Sequence, residues 1–113
     1  QLAKAAIRAA TQTLFDQAGL REEDIDEVLL AGSFGSHIDI DNAKILGLIP
    51  DVDTADYRQV GNAAAAGVRR ILVDDVWRQR AIRLPEQVHY VELTRTRSYS
   101  RRFARNLSFP NEP

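Results

Sequence analysis

Two short strand-like runs in this chain each end on a glycine and lead directly toward helix-forming sequence. The first is the apolar Leu29-Leu30-Ala31, ending on Gly32; the second, Tyr57–Val60, is a more polar run that ends on Gly61 and is followed by Asn62 and Ala63-Ala64-Ala65-Ala66. A glycine just after a strand lets the backbone approach a flat or charged ligand where a side chain would collide. A helix beginning beyond it adds unpaired N–H groups and the positive end of a dipole. Glycines also turn chains with no ligand nearby, so one such loop alone does not define a site.

The rest of the chain alternates in the same style. Leu2, Ala3, Ala6, Ile7, Ala10, Thr13, Leu14 and Ala18 recur at helical spacing, with Lys4, Arg8, Gln12 and Asp16 on other faces. That predicts an amphipathic helix closed by Gly19. Arg21–Asp24 reads as a solvated connector and Asp26–Ala31 as a strand buried on both faces. Gly32–Ser36 is expected to be a loop, and the acceptors of Asp39–Asn42 suit the cap of a short helix over Ala43–Leu46. A turn at Pro50–Asp53 precedes a second strand, Tyr57–Val60, and a helix over Ala63–Val73. Asp74-Asp75 caps or kinks the junction to a helix over Val76–Arg83, which Pro85 ends. Val88–Leu93 alternates like a strand, and Tyr99–Asn106 reads as a last helix with Phe103 and Leu107 on one side. This order predicts an α/β layered domain.

Composition narrows the chemistry. With 113 residues, one domain is the default. A hydrophobic share of 44% with 27% charged side chains argues against a disordered chain. No uncharged apolar stretch approaches the ~20 residues that a membrane helix needs. The chain has no cysteine, and therefore no disulfide, thiolate metal site, thiol nucleophile or iron–sulfur ligation of its own. It also has no methionine and opens at Gln1 within a helical pattern, so it is expected to be a piece of a longer protein. The net charge of −1 conceals an asymmetry: residues 1–68 carry five basic and eleven acidic side chains, residues 69–105 ten basic and four acidic. Base-stacking aromatics are scarce among those arginines, which favours a solvated face over a nucleic-acid surface.

Several familiar sites are absent. There is no Gly-x-x-x-x-Gly-Lys-Ser/Thr and no Gly-x-Gly-x-x-Gly after a strand, which excludes a P-loop and a dinucleotide fingerprint within this chain. Ser33 and Ser36 lie near His37, but the Gly-x-Ser-x-Gly elbow of hydrolases is missing. Asp39, Asp41, Asp51, Asp53 and Asp56 lack calcium-loop spacing and suit caps and turns. No catalytic residue and no metal ligand is assigned.

The stretch Glu27–Ser36 resembles the adenosine motif of the actin-like ATPase superfamily, in which a strand ends in a glycine-rich loop lying against the nucleoside. Gly61–Gly67 is similar to the Ala/Gly-rich helix that follows in such folds. Ser33 stands where a second glycine is usual, and Ile38 where a proline or arginine is usual. A closer resemblance covers almost the whole chain. Gln1–Ala9, Leu30–Gly35, Gln59–Ala64, Tyr90–Leu93 and Phe109-Pro110 match, in order, the C-terminal region of the ferredoxin-containing reductive activators of corrinoid proteins.

This resemblance implies that residues 1–113 are a single fragment, the C-terminal subdomain of an actin-like, ribonuclease-H-like (ASKHA) ATPase fold: a short sheet flanked by helices. It implies that Gly32, Ser33, Phe34 and Gly35 approach the adenosine of ATP, bound with Mg in the full-length protein, and that Gly61 and Asn62 lie close to the cleft. Phe34 as a core anchor and Asn62 as a helix cap are equally open readings. It further implies a [2Fe–2S] cluster in an N-terminal domain outside this chain. The partner is expected to be the Co(II) corrinoid protein of a methyl-transfer system, reduced to Co(I) at the expense of ATP, and the arginines of 69–105 would face its acidic surface. The same resemblance implies a cytoplasmic protein that interacts with neither membrane nor nucleic acid, and it leaves room for a homodimer. A non-catalytic actin-like regulatory module and a sugar or acyl kinase fragment are the alternatives. Because an actin-like cleft needs two halves, the isolated 113-residue chain is expected to hydrolyse no ATP in a purified, contaminant-free assay; robust turnover would contradict the half-cleft reading.

Overall fold

The structure, a computed structural model, describes residues 1–110. Its regular elements are α1 (Leu2–Ala18), β1 (Glu27–Ala31), α2 (Gly32–His37), α3 (Ile40–Ile45), β2 (Asp56–Gly61), α4 (Ala63–Val73), α5 (Asp75–Arg83) and α6 (Arg97–Arg105), with 3₁₀ turns at Glu22–Asp24, Leu84–Glu86 and Leu93–Arg95. The strands pair side by side in a parallel two-stranded sheet flanked by helices. The α/β expectation holds. The chain divides into two compact units, one of Gln1–Val28, Ile38–Tyr57 and the residues from Val91 on, the other of Leu29–His37 and Arg58–Tyr90.

In the first unit, α1 ends as expected at Gly19, whose φ of 67° lets its N–H reach the Asp16 carbonyl while the Leu20 N–H reaches that of Phe15. This is the Schellman arrangement, and it satisfies carbonyls that the helix end would otherwise leave open. Of the face that α1 was expected to bury, only Thr13 is fully buried. Ala5, Ala9 and Thr13, four residues apart, are fully buried, and the Thr13 hydroxyl donates to the Ala9 carbonyl at 2.7 Å. Leu2, Ile7 and Leu14 stay exposed.

The supposed outer stripe of α1 makes the cross-links instead. Lys4 Nζ donates to the Ser108 carbonyl, Arg8 pairs with Glu22 at 2.7 Å, Asn106 Nδ2 donates to Gln12 at 3.0 Å, and Arg102 pairs with Asp16. Small side chains allow close approach of α6, and long polar arms reach across the gap. Arg102 is therefore engaged within the fold and does not belong to a free basic face. Tyr99 and Phe103 pack together on α6, ring centres 6.3 Å apart.

The remaining core of this unit is Ala43, Leu48, Ile49 and Val52. Burying each of the three larger side chains contributes about 1.5–3 kcal/mol. Asp39 caps α3 by accepting from the Asn42 N–H at 2.8 Å, so this helix begins at Ile40, earlier than expected. The turn after α3 hangs on Tyr57: its hydroxyl donates to the Pro50 carbonyl at 2.7 Å and accepts from the Val52 N–H at 2.9 Å, with Lys44 Nζ 3.9 Å from the ring centre. In the 3₁₀ turn after α1, the Arg21 N–H and then its guanidinium hold the Asp24 carboxyl below the ordinary carboxylate range. The sign follows: this contact contributes above the ordinary value and is lost as the pH falls through the lowered one.

In the second unit, Asp74 closes α4 with its N–H to the Arg70 carbonyl and opens α5 by accepting from the Val76 and Trp77 N–H groups. Two expectations fail here. Gly32–Ser36 is not a loop but most of helix α2, and residues 88–90 form no strand. The alternation at Val88–Leu93 lacks a neighbouring strand to pair with among the described residues, and backbone groups cannot form a ladder alone. β1 is also not buried on both faces: intermediate and exposed residues alternate along it. No helix among the described residues is long and apolar enough to cross a membrane.

The orientation of α1 is open to a direct test. Ala9→Leu is expected to destabilise the chain by about 1–3 kcal/mol through overpacking, whereas Leu2→Ala changes stability by less than about 0.5 kcal/mol. Urea unfolding of both variants checks this; the reverse ranking would restore the expected apolar face.

Candidate functional site

Both glycine turns lie in the second unit, at the C-terminal ends of the paired strands. Gly32 has φ +81° and Gly61 φ +62°, values that side-chain-bearing residues rarely adopt, at a cost of about 1–2 kcal/mol. A Cβ built on either one meets nothing within 4 Å. Each turn therefore combines a backbone shape that demands glycine with open space in front of it.

Gly35 is glycine for a different reason. It is buried, and a Cβ there would lie 2.8 Å from the carbonyl carbon of Leu30. Without a side chain, α2 can fold back tightly against β1. The Gln59 side chain then donates from Nε2 to the Gly35 carbonyl at 2.8 Å, tying β2 to α2. In the sequence Gln59 stands out only as the first residue of the Gln59–Ala64 motif. No other signal sets it apart, since Arg58 beside it is polar as well and its carbonyl partner is brought near only by folding.

The other candidates have defined places. Phe34 is 67% exposed, so it is not the core anchor that one reading expected. Asn62 caps α4, its side chain accepting from the Ala65 N–H at 2.9 Å. Ser33 is exposed, and its carbonyl, which can only accept, lies 2.7 Å from His37 Nδ1, so that nitrogen is the donor. The Ser36 hydroxyl donates to the Gly32 carbonyl at 2.9 Å. These bonds bind α2 to itself, so His37 and Ser36 are occupied in closing the turn and are not arranged as a nucleophile and base. His89 is exposed in irregular backbone. No group of three or more His, Cys, Asp or Glu side chains suited to a metal ion occurs among the described residues.

Two parallel strands ending in glycine turns, each followed by a helix, are the architecture of an actin-like, ASKHA-type α/β domain. The model of a protein family described as the C-terminal domain of RACo, the ASKHA domain, matches residues 1–113. A corrinoid activation enzyme, RamQ, of Eubacterium limosum is 30% identical over 109 residues, covering 96% of this chain and 18% of that protein. A reductase of a Co(II) methylated amine-specific corrinoid protein, from Methanosarcina barkeri, is 32% identical over 69 residues, 61% of this chain and 13% of its own length. The solved structure of a reductive activator for a corrinoid, iron–sulfur protein superposes with a TM-score of 0.82 at 32% identity, over 91% of this chain and 16% of that one. The chain belongs to the family of the RACo C-terminal ASKHA domain. It spans less than a fifth of the length of these relatives.

Two glycines of this unit separate packing from conformation. Gly35→Ala is expected to destabilise by about 1–3 kcal/mol, because the nearest atoms are backbone and a shift must follow. Gly67→Ala, inside α4 with nothing within 4 Å of its Cβ, is expected to stabilise by about 0.4–1 kcal/mol. Chemical denaturation of the two variants reads both signs; a neutral Gly35→Ala would remove the close-packing account.

Proposed function

We propose that this chain supplies one wall of the ATP cleft of a corrinoid reductive activator, with Gly32, Ser33, Phe34, Gly61 and Asn62 on the nucleoside side and Gly35 holding the wall from behind. The observation that carries the reading is the pair of strand-end glycines with positive φ and empty space at both Cβ positions. A planar nucleoside needs such a surface, since backbone can approach it closely and a β-carbon would hold it off. The exposed ring of Phe34 beside the first turn offers apolar area to a base. Family membership and the names of the relatives, all of them activators or reductases of corrinoid proteins, support the same direction.

In the intact protein, one electron passes to the Co(II) corrinoid of a partner protein of a methyl-transfer system and yields Co(I). This chain has no cysteine, so a [2Fe–2S] cluster that donates the electron has its ligands elsewhere. ATP with Mg, when bound, contributes the free energy that makes the uphill transfer run. This chain's part is recognition: its two glycine turns bind the nucleoside in one conformation better than in another, and that difference shifts the population toward the transfer-competent state.

The test is Gly32→Asn in the intact protein. Asparagine tolerates the left-handed region better than other side chains, so the turn survives while the space in front of it fills. ATP affinity measured by calorimetry is expected to fall at least about tenfold, which is about 1.4 kcal/mol, with Gly61→Asn behaving alike. Parent-like affinity in both folded variants would contradict the proposal.

A further inference from the structure

A second feature of this unit is independent of the nucleotide wall. Helices α4 and α5, with Arg58 and Val60 of β2, line an open groove whose small side chains are Ala63, Ala66, Gly67 and Ala81. On α4 the lining positions fall three and four residues apart, and Trp77 and Ala81 of α5 continue at the same spacing to Leu84 just beyond its end, so each helix presents one continuous stripe. These small side chains leave room for an element the width of a helix to approach closely.

The rim is strongly one-signed. Arg70, Arg80 and Arg83 line the groove and no carboxylate does. The guanidiniums of Arg70 and Arg80 lie 4.8 and 5.2 Å from the centre of the Trp77 ring, held over it by cation–π attraction. None of these three arginines pairs with a carboxylate among the described residues, in contrast to Arg78, which bonds Asp75 at 2.7 Å. An apolar trough with a Trp wall and unneutralised arginines along its edge matches a ligand with apolar groups on one side and carboxylates on the other.

We propose that the α4–α5 groove docks an acidic amphipathic helical segment of a protein partner. Its aliphatic or aromatic side chains would lie on the alanines against Trp77, and its Asp and Glu side chains would meet Arg70, Arg80 and Arg83. Charge complementarity commits the occupant: a basic segment would be repelled, and a second copy of α4–α5 would bring arginine against arginine. Nucleic acid fits the rim but not the apolar lining, because a phosphate backbone brings no apolar face to lay on alanines and leucine.

The experiment uses the intact protein and a fluorescein-labelled synthetic peptide of about 15 residues, long enough to form a helix, with Glu and Asp on one face and Leu and Phe on the other. Fluorescence anisotropy is expected to show saturable binding that weakens as salt rises, since exposed charges are screened within about 8 Å at physiological ionic strength. Binding is expected to fall at least about tenfold in the R80Q/R83Q double variant, and equally for a peptide with Ala in place of Leu and Phe. The peptide change leaves the protein untouched, so loss of folding in the variant does not decide the result. The proposal is overturned if the acidic peptide does not saturate, if a peptide with Lys in place of Glu and Asp binds as well, if an RNA oligonucleotide binds in its place and displaces it, or if ATP alone displaces it.

Discussion

The approach of Gly35 to the Leu30 carbonyl is the constraint on which the candidate site depends. Only a residue without a Cβ allows helix α2 to fold back on the strand it has just left. That reversal requires the left-handed turn at Gly32, and it brings the Gly35 carbonyl to the amide of Gln59 on the neighbouring strand. One missing methyl group thus couples β1, α2 and β2. A larger residue at position 35 would separate α2 from β1 and loosen the end of the sheet.

The first unit solves a different problem with few large apolar residues. Its fully buried positions on α1 are two alanines and a threonine, and polar arms tie α1 to α6 and the residues just after it: Asp16 to Arg102, Gln12 to Asn106 and Lys4 to the Ser108 carbonyl. The one ion pair among them, Asp16 with Arg102, is partly exposed and contributes little, about 0–1 kcal/mol. What these contacts add is register. Asn106 donating to Gln12 while also bonding the Arg102 carbonyl fixes where α6 lies along α1.

Local chemistry was the most legible in the sequence. Gly19 as a C-cap, Asp39, Asn62 and Asp74 as N-caps, and the extents of α1 and α4 follow from short-range rules that need no partner. That a glycine stands between strand and helix at positions 32 and 61 was equally plain, whereas its positive φ is seen only in the fold. The face that α1 buries was not legible, because Ala5 and Ala9 carry little hydrophobic signal beside Leu2, Ile7 and Leu14. Close approach selected the small residues. Val88–Leu93 reads as a strand on alternation alone, but a strand is a property of a pair. The part played by Gly35 was hidden for the same reason: its neighbour is a carbonyl that only the folded turn brings near. The groove between α4 and α5 was hidden too, since the pattern shows arginines but not that Trp77 gathers two of them.

The central claim is that the two strand-end glycine turns face bound nucleotide. Hydrogen exchange of the intact protein, followed by mass spectrometry with and without saturating ATP, tests it most directly. Slowed exchange confined to peptides covering residues 32–34 and 61–62, beyond any change elsewhere in this chain, is the result predicted. Unchanged exchange at both turns, with ATP demonstrably bound, would contradict it.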